Sequence, residues 1–527
     1  MPDGVKPADG GPLRVGIDVG GTNTDAVVLD ADDRVIAKAK RPTTPDVTEG
    51  LRAALDAVLA ELGEDAGVRQ RINRVMLGTT HATNAILERR ALGRVAVLRV
   101  GAPATTVIPP LTDWPEDLRK VVAAGVAIVP GGHFVDGRAI VPLGEDAIRR
   151  FLGGLRDGMD GVDAVAVTGV FSPASGDQEN RVAEIVREEL GELPISLSHQ
   201  VGSLGLLERE NATVLNAALY GVVRDVADAL VAATRERGVS ARPYLAQNDG
   251  TLMTVEHAVR HPVLTIGSGP ANSLRGAAFL SGVEDAIVAD VGGTSTDLGV
   301  LAGGFPRESA AAAEIGGVVT NFRMPDILSL ALGGGTVVGA AGKLGPESVG
   351  YRIAREALVF GGGTPTMTDA AVAAGRGVVG AFAVPEVRRA ELAAALAAAD
   401  AMVADAVDRM SLGRTGRPLV AVGGGAFLLP DGIPGVSRVI RPADADVANA
   451  VGAAIAYASG RVDTILPTGG GRARALERAK LQAVERAVAA GADPATVEIV
   501  ELVEVPLSYL PQPAVRAHVK AAGPLSH

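Results

Sequence analysis

A twelve-residue segment near the start of the chain occurs a second time 272 residues further along. The two copies are DVGGTNTDAVVL, which begins at Asp18, and DVGGTSTDLGVL, which begins at Asp290, and nine of the twelve positions are identical. Each copy places an aspartate at the end of an apolar run and then turns through two glycines into hydroxyl or amide side chains. The spacing is too wide for a solenoid repeat and indicates two lobes, each carrying one copy.

Each copy combines residue types that bind a phosphate group with one that binds a metal ion. Paired glycines permit positive φ and leave backbone N–H groups open to an anion. A carboxylate at the end of a strand can hold hydrated Mg²⁺, which we predict for Asp18 and Asp290. The predicted phosphate-binding residues are Gly20, Gly21, Thr22, Asn23, Gly292, Gly293, Thr294 and Ser295. Two such turns facing each other would hold a polyphosphate and its metal ion; the alternative is a pair of tight β-hairpins without a ligand.

Several other classes of protein are excluded or disfavoured by the sequence. It contains neither the G-x-x-x-x-G-K-[ST] motif of P-loop proteins nor, at the first turn, the G-x-G-x-x-G spacing that binds dinucleotides. It has no cysteine, which rules out cysteine-ligated zinc and iron–sulfur clusters. A net charge of −11 argues against nucleic acid and anionic membranes as partners. With neither a signal-peptide pattern nor a long apolar run, a cytoplasmic enzyme is expected.

A second group of polar residues lies in the segment GTTHATNAILERR, where a predicted strand leads into a helix. Thr79, Thr80, His81 and Asn84 bring two hydroxyls, an imidazole and an amide to one turn. They could hold a carbonyl substrate beside the terminal phosphate of a bound nucleotide. The alternative is that one threonine caps the helix and that His81 is exposed.

Three further candidates each have an ordinary structural alternative. Ser268 lies in GSGPANS, a glycine-rich loop predicted to enter a helix at Ala271, and a helix N-terminus suits a phosphate or a carboxylate. Asp326 precedes the glycines of LGGGT and is a candidate metal-water ligand or base, or a surface carboxylate. His257 and His261 have i,i+4 spacing, but the glutamate of H-E-x-x-H is absent and a proline follows, which favours a structural role. The other histidines form no recognisable site.

The elements that must position these residues alternate between strands and helices. A chain of 527 residues is too long for one ordinary core, and its 47% hydrophobic and 21% charged residues are typical of well-packed globular domains. Strands alternating with helices, including a strand at Val263–Ile266, predict an α/β fold with helices on both faces of its sheets. We predict lobes at residues 1–205 and 206–460, with a last helix at 447–460 that crosses between them, and a small α+β tail at 461–527.

The paired turns resemble the two phosphate-binding segments of the actin, sugar-kinase and Hsp70 superfamily. A third segment, LVAVGGGAFLLP from Leu419, resembles the adenosine-binding segment of that superfamily. The resemblance implies two ribonuclease-H-like lobes around a nucleotide cleft, with Gly423, Gly424 and Gly425 against the nucleoside. It also implies that DVANAVGAAIAY, from Asp446, is the small-residue helix between the lobes.

Within this superfamily the chain resembles the hydantoinase A/5-oxoprolinase proteins and the related acetone-carboxylase subunits. The segments that carry the resemblance, in the order of that family, are IDVGGTNTDAVVLD, LGTTHATNAILERR, ADVGGTSTDLGVL, LGGGT and GGGTPTMTDA. The likeness ends near residue 460, so a small tail is expected where longer members have a large C-terminal domain. The chain also has GPESVGYRIAREALVF in place of the family's stretch before GGGTPTMTDA, which leaves the substrate open.

The resemblance implies ATP-dependent activation of a carbonyl, such as that of a cyclic amide, by phosphoryl transfer. The implied cofactors are ATP and Mg²⁺, and a hydantoinase-B-like second subunit would complete the reaction in a homo- or hetero-oligomer. The implied catalytic residues are Asp18, Asp290, Thr79, Thr80 and His81, and the implied substrate contacts are Asn84, Ser268 and Asp326. Alternatives are a small-molecule kinase of the same superfamily and an acetone-carboxylase-type subunit.

Overall fold

The computed structural model describes residues 11–21, 23–43, 47–63, 66–156, 161–202, 204–309, 312–455, 457–469, 471–507 and 513–526. Its strands are β1 Leu13–Val19, β2 Asn23–Leu29, β3 Val35–Pro42, β4 Ile72–Thr79, β5 Val95–Ala102, β6 Ala123–Pro130, β7 Ala164–Gly169, β8 Ile195–Leu197, β9 Arg242–Ala246, β10 Leu252–Thr254, β11 Ile287–Val291, β12 Thr296–Ala302, β13 Phe305–Pro306, β14 Ala313–Ile315, β15 Val318–Thr320, β16 Ile327–Leu330, β17 Thr336–Val338, β18 Leu344–Ser348, β19 Arg417–Val422, β20 Val436–Ile440, β21 Tyr457–Pro467, β22 Glu498–Leu507 and β23 Ala514–Pro524. Its α-helices are α1 Val47–Glu61, α2 Ala66–Gln70, α3 His81–Glu88, α4 Glu116–Val122, α5 Glu145–Arg156, α6 Asp177–Leu190, α7 Ser198–Val201, α8 Leu206–Ala218, α9 Tyr220–Glu236, α10 Val255–Arg260, α11 Ser268–Ser281, α12 Ile353–Glu356, α13 Met367–Ala373, α14 Arg389–Ser411, α15 Ala448–Ala454 and α16 Arg472–Ala490.

The first sheet has nine strands in the order β22-β23-β21-β10-β9-β4-β1-β2-β3. Strands β1, β2 and β3 pair antiparallel, whereas β4 runs parallel to β1 and β9 runs parallel to β4. The central strand β1 is almost entirely buried, as expected for a strand with neighbours on both sides and helices on both faces. The carboxyl ends of β1 and β4 lie side by side, because Val19 pairs with Thr79.

The second sheet repeats this arrangement with β13-β12-β11-β19-β20. Its strand β11 pairs antiparallel with β12 and parallel with β19, just as β1 pairs with β2 and β4. The register is the same too, since Asp18 pairs with Asp25 in the first hairpin and Asp290 pairs with Asp297 in the second. The repeat in the sequence is therefore a repeat of the fold, and the prediction of two ribonuclease-H-like lobes is confirmed.

A smaller parallel sheet, in the order β6-β5-β7-β8, is inserted in the first lobe. It has a hydrophobic core of its own, formed with α5 and α6 by side chains that include Leu98, Ile148, Val167 and Val182. The buried Arg99, on β5, forms an ion pair with the equally buried Glu210 on α8 and so ties this insertion to the rest of the lobe.

Helix α15 lies between the two lobes in backbone contact with both. A Cβ on Gly452 would stand 1.8 Å from the carbonyl oxygen of Asn272 in α11, and one on Gly16 would stand 2.2 Å from that of Ala450. Only residues without a side chain allow such an approach, which agrees with the small-residue pattern of this segment. The predicted helix at 447–460 is too long, however: α15 ends at Ala454, and the following residues form β21 because they pair along their whole length with β23.

The tail contains a helix and strands, as expected, but its strands extend the first sheet. Strand β21 pairs with β10 on one side and with β23 on the other, and α16 packs on it so closely that a Cβ on Gly460 would stand 2.2 Å from the amide nitrogen of Ala487. The boundary at residue 206 stays a prediction, and strands β9 and β10, which follow it, lie in the first sheet.

The predicted strand at Val263–Ile266 is wrong. Residues Pro262–Thr265 form a 3₁₀ turn, because Pro262 fixes φ and lacks the N–H that a strand in a sheet would donate. Among the described residues, no helix combines the length and apolar character needed to cross a membrane.

Candidate functional site

The two repeated hairpins face one cavity of about 370 Å³ between the lobes. The first hairpin contributes Gly20 and Asn23 to the lining of this cavity. The second hairpin contributes Asp290, Gly292, Gly293, Thr294 and Ser295. The predicted nucleoside segment contributes Gly423, Gly424 and Gly425 to the same cavity. The structure thus brings together three segments that are more than a hundred residues apart in the chain.

The two turns are closed by the same backbone hydrogen bond. The N–H of Gly20 donates to the carbonyl of Asn23 at 3.0 Å, and the N–H of Gly292 donates to the carbonyl of Ser295 at 2.9 Å. Gly21 lies exposed at the tip of the first turn. Thr22 lies outside the described residues, so its predicted role has no structural account.

Asp18 is buried, with 3% of its surface exposed, and is held by two amide side chains. Its Oδ1 accepts from Asn272 in α11 and its Oδ2 accepts from Asn449 in α15, both at 3.1 Å. Asn449 also donates to Asp25 at 2.9 Å, and the Lys40 ammonium lies 2.8 Å from the Asp25 carboxylate. Burial raises the pKa of Asp18 to about 6, more than the amide bonds lower it.

Asp290 occupies the equivalent place in the second hairpin with a different partner. Its Oδ2 accepts from the Ser273 hydroxyl at 2.5 Å, and burial raises its pKa to about 6. Gly423 lies against its other oxygen: a Cβ there would stand 2.3 Å from Oδ1, and the φ of +84° also requires glycine. Asp290 lines the cavity, whereas Asp18 is not among its lining residues in the described part of the chain. A carboxyl with raised pKa at a cavity is a feature of sites that bind a cation, which would restore the ionised form.

The second turn is supported from behind by the LGGGT loop. The N–H groups of Gly334 and Gly335 donate to the carbonyls of Gly292 and Gly293 at 3.0 and 2.7 Å. A Cβ on Gly333 would stand 2.6 Å from the amide nitrogen of Thr294, so this loop is fixed by close backbone contact. The first turn has the single Thr43 hydroxyl, which donates to the carbonyl of Gly20 at 2.7 Å.

The end of the cavity at Gly423–Gly425 combines glycines with apolar walls. The walls include Ile353, Phe360, Val379 and Phe427. Among the described residues, no atom lies within 4 Å of the position that a Cβ on Gly424 would take. A polar end with open backbone groups and an apolar end with room for a flat ring fit the phosphates and the base of a nucleotide.

The residues of GTTHATN lie beside Asp18 at the carboxyl edge of the first sheet. Thr79 is buried, and its Oγ1 accepts from the N–H of His81 at 3.1 Å. The N-cap residue of α3 is Thr80, whose side chain makes no capping hydrogen bond, so the alternative of a threonine cap is not supported. The Thr80 N–H donates to the carbonyl of Val19 at 3.4 Å, and Asn84 donates to the Thr80 hydroxyl at 3.4 Å. His81 is half-buried. These residues adjoin the 370 Å³ cavity without being among its lining residues in the described part of the chain.

Ser268 and Asp326 have different surroundings from those predicted. Helix α11 begins at Ser268 itself rather than at Ala271, and the Ser268 hydroxyl donates to the carbonyl of Thr79 at 3.2 Å. This bond joins the GSGP and GTTH segments. Asp326 forms an ion pair with Arg307 at 2.6 Å, and the structure does not bring it to the cleft.

Several residues at the cleft were missed by sequence reasoning. They are Asp25, Lys40, Asn272, Ser273 and Asn449. Asp25 carried a signal, because the repeat places an aspartate at the equivalent position, Asp297. Lys40 carried none, since its contact with the site depends on the pairing of β3 with β2.

His257 and His261 are half-buried with their rings 4.6 Å apart, and desolvation lowers their pKa values to about 4 and about 3. In the described part of the chain they belong to no group of three possible metal ligands. They line a separate cavity of about 520 Å³ with Arg260 and Arg486.

The fold and the cleft define the class of the protein as a two-lobed, actin-like α/β protein with a nucleotide-sized cavity between the lobes. Comparison with known families adds two matches, the hydantoinase/oxoprolinase N-terminal region over residues 14–190 and the hydantoinase/oxoprolinase family over residues 209–410. The chain belongs to the hydantoinase/oxoprolinase family.

Curated relatives include two enzyme subunits. The chain is 29% identical to the gamma subunit of acetophenone carboxylase from Aromatoleum aromaticum, over 68% of this chain and 53% of the relative. It is 28% identical to the alpha subunit of caprolactamase from Pseudomonas jessenii, over 69% of this chain and 54% of the relative. The chain therefore spans about half the length of the curated relatives it matches.

Two solved structures share the fold over nearly the whole chain. ATP-dependent caprolactamase from Pseudomonas jessenii has a TM-score of 0.73 at 20% identity, covering 97% of this chain and 87% of that chain. The nucleotide-free acetone carboxylase structure has a TM-score of 0.66 at 19% identity, covering 98% and 88%. At these identities the likeness establishes the common architecture.

Proposed function

We propose that this chain binds Mg·ATP between its two hairpins and uses it to activate the carbonyl of a cyclic amide, together with a second subunit. The observation that carries the proposal is the matched pair of glycine turns, each preceded by an aspartate, on one cavity with Gly423–Gly425. The names of the relatives support the reaction class, because one is an ATP-dependent caprolactamase.

The chemistry explains why ATP is needed to open a lactam. Amide resonance makes the carbonyl carbon a weak electrophile. In the proposed step the lactam, having lost its N–H proton, attacks the γ-phosphorus through oxygen, and the bond from phosphorus to ADP breaks with its electron pair leaving on ADP. Water then adds to the activated carbon, the ring C–N bond breaks to give an acyl phosphate, and a second water releases phosphate. Positioning and charge neutralisation are what a protein supplies to such a transfer.

The proposed roles follow the positions of the residues in the cleft. Asp18 and Asp290 would hold Mg²⁺, which neutralises charge on the phosphates. The turns at Gly20 and Gly292 would bind the phosphates, and Gly424 would lie against the nucleoside. The polar side chains of the GTTHATN segment, which lie beside Asp18, would receive the carbonyl substrate. They are Thr79, Thr80, His81 and Asn84.

Filling the nucleoside end of the cleft tests the proposal. Gly424→Leu puts a side chain into open space at that end without a backbone clash, and Gly432→Leu makes the same change at an exposed position with equal room. We expect calorimetry to detect Mg·ATP binding to the wild type and to Gly432→Leu, and to find it weakened about a hundredfold or more in Gly424→Leu. Equal binding by all three proteins would contradict the proposed nucleotide position.

The substrate is tested by ATP turnover with the second subunit present. We expect cyclic amides to stimulate release of phosphate in step with ring opening. Stimulation by sugars with no response to any lactam would overturn the proposal in favour of a kinase.

A ketone is the second candidate substrate, favoured by the likeness to acetophenone carboxylase. A ketone would lose an α-proton, and its enolate oxygen would attack the γ-phosphorus with ADP leaving. Water would then attack the phosphorus and release phosphate, and the α-carbon of the freed enolate would add to carbon dioxide. Turnover that depends on acetophenone and bicarbonate, and not on lactams, would identify this alternative.

A further inference from the structure

A partly buried cluster of possible metal ligands lies away from the cleft, where the tail strands approach the segment after β13. His518 on β23, Glu501 on β22 and Glu308 each offer one ligand atom, and these atoms lie within 4.8 Å of one another. The Nε2 atom of His518 is 3.9 Å from a carboxylate oxygen of each glutamate. These residues are far apart in sequence, and this explains why the histidine alone gave no recognisable pattern.

The His518 ring is oriented as in metal centres. Its Nδ1 lies 3.2 Å from Oδ2 of Asp463, and the ionised carboxylate can only accept, so Nδ1 carries the hydrogen. Nε2 then presents its lone pair to the two glutamates. A histidine that binds a metal through one nitrogen and donates to a carboxylate through the other is the usual arrangement in metalloproteins.

One atom in this cluster has hydrogen-bonding capacity that is not used. Glu308, whose side chain is 8% exposed, is already paired, with Arg461 3.0 Å from its Oε1 and Arg323 3.3 Å from its Oε2. The His518 side chain, by contrast, is 2% exposed, and among the described residues its Nε2 has no hydrogen-bond partner. A buried polar atom without a partner is costly, and a bound ion would remove that cost.

We propose that Glu308, Glu501 and His518 bind one divalent transition-metal ion, of the zinc or manganese class. One imidazole nitrogen with two carboxylate oxygens is a ligand set that suits these ions. Two ligands about 2.1 Å from a tetrahedral ion are about 3.4 Å apart, so the 3.9 Å separations need only small side-chain rotations. This site goes beyond the proposed reaction and is independent of the nucleotide cleft.

Basic side chains surround the cluster, and a bound cation would compete with two of them, Arg323 and Arg461, for Glu308. The surrounding basic groups are Arg323, Arg461, Arg516 and Lys520. Arg461 and Lys520 are shared with the buried Asp249, at 2.9 Å each.

The ion would have an open coordination position. A cavity of about 480 Å³ is lined by Glu308 and His518, and also by Glu208 and Phe322. Three protein ligands with access to a cavity leave room for water or another ligand, and Glu208 adds negative charge on that side.

Metal content and affinity test the proposal. Full-length protein is stripped with a chelator, dialysed against Zn²⁺, Mn²⁺ or Mg²⁺, and analysed by elemental mass spectrometry and calorimetry. We expect about one equivalent of Zn²⁺ or Mn²⁺ and weak binding of Mg²⁺. His518→Ala should abolish binding, and Glu501→Gln should weaken it about tenfold or more.

Two control variants separate this site from others. Glu498→Gln removes an exposed carboxylate from the same strand and should bind as the wild type does. His257→Gln tests the other close pair of histidines and should also leave the stoichiometry unchanged. If His518→Ala does not fold, the half-buried Glu501 still gives the answer through Glu501→Gln. Absence of a bound equivalent, equal affinity of Glu501→Gln and wild type, or loss of binding in His257→Gln would overturn the proposal.

Discussion

The two hairpins share sequence and register but differ in what holds them. The second turn rests on the LGGGT loop through two backbone hydrogen bonds, and its Asp290 is held by Ser273. Among the described residues no such loop supports the first turn, and its Asp18 is held by Asn272 and Asn449, which are 254 and 431 residues away in the chain, whereas Ser273 is 17 residues from Asp290. The second hairpin is therefore built locally, whereas the position of Asp18 depends on how the lobes and the crossing helix pack.

The largest difference between the hairpins should appear when each aspartate is replaced by asparagine. Both Asp18→Asn and Asp290→Asn should lower ATP turnover about 100-fold or more, because both remove a proposed metal ligand. Only Asp18→Asn should also destabilise the protein, by about 1–3 kcal/mol, because its new NH₂ group faces the NH₂ group of an asparagine. The Ser273 hydroxyl can accept instead of donate, so Asp290→Asn keeps its bond. Denaturant unfolding with turnover assays checks both effects, and equal stabilities would contradict the comparison.

The support behind the second turn can be disrupted with one methyl group. Gly333→Ala places a Cβ 2.6 Å from the Thr294 amide nitrogen, and the strain should cost about 1–3 kcal/mol and weaken ATP binding. Gly21→Ala is the matched change in the first turn, where no described atom lies within 4 Å of the new Cβ. It should stay within about 0.5 kcal/mol of the wild type. If the two alanine variants had the same melting temperature and ATP affinity, the LGGGT loop would have no supporting role.

The pH dependence of Mg·ATP binding should reflect the protonation of both Asp18 and Asp290. Burial raises both pKa values to about 6. Below this pH both carboxyls of the free protein carry protons, and Mg²⁺ must displace these protons in order to bind. Affinity for Mg·ATP should therefore rise with pH up to about 6 and level off above it, after correction for protonation of ATP. Calorimetry in buffers of different ionisation enthalpy should detect proton release near pH 5.5. Affinity that is constant from pH 5 to 8 would contradict metal binding by these carboxyls.

The smallest effect should come from Lys40, which has no equivalent bond in the second hairpin. Its ammonium lies 2.8 Å from Asp25, whereas Asp297 is bonded to Ser329. Lys40→Met should raise the pKa of Asp25 and lower ATP affinity several-fold, because a positive charge at the cavity is lost. Ser329→Ala is the comparison variant and should leave the affinity close to that of the wild type. A larger loss of ATP affinity in Ser329→Ala than in Lys40→Met would contradict the role given to the Lys40 charge.

The repeat made the core of both lobes predictable, because nine matching positions require the same strand–turn–strand in each. The end of the crossing helix was predicted wrongly, since residues after Ala454 become a strand only by pairing with β23, about sixty residues later. The contacts of Asp18 with Asn272 and Asn449 span 254 and 431 residues, and no local pattern specifies them. Local chemistry therefore predicted the glycines and aspartates, whereas packing between lobes determined their partners.

The most direct test of this account is a crystal structure of the protein with Mg²⁺ and a non-hydrolysable ATP analogue. The account predicts phosphates in contact with the backbone N–H groups of both turns, Mg²⁺ held by Asp18 and Asp290, and the purine beside Gly424. A nucleotide bound anywhere else, or phosphates in contact with one hairpin alone, would contradict it.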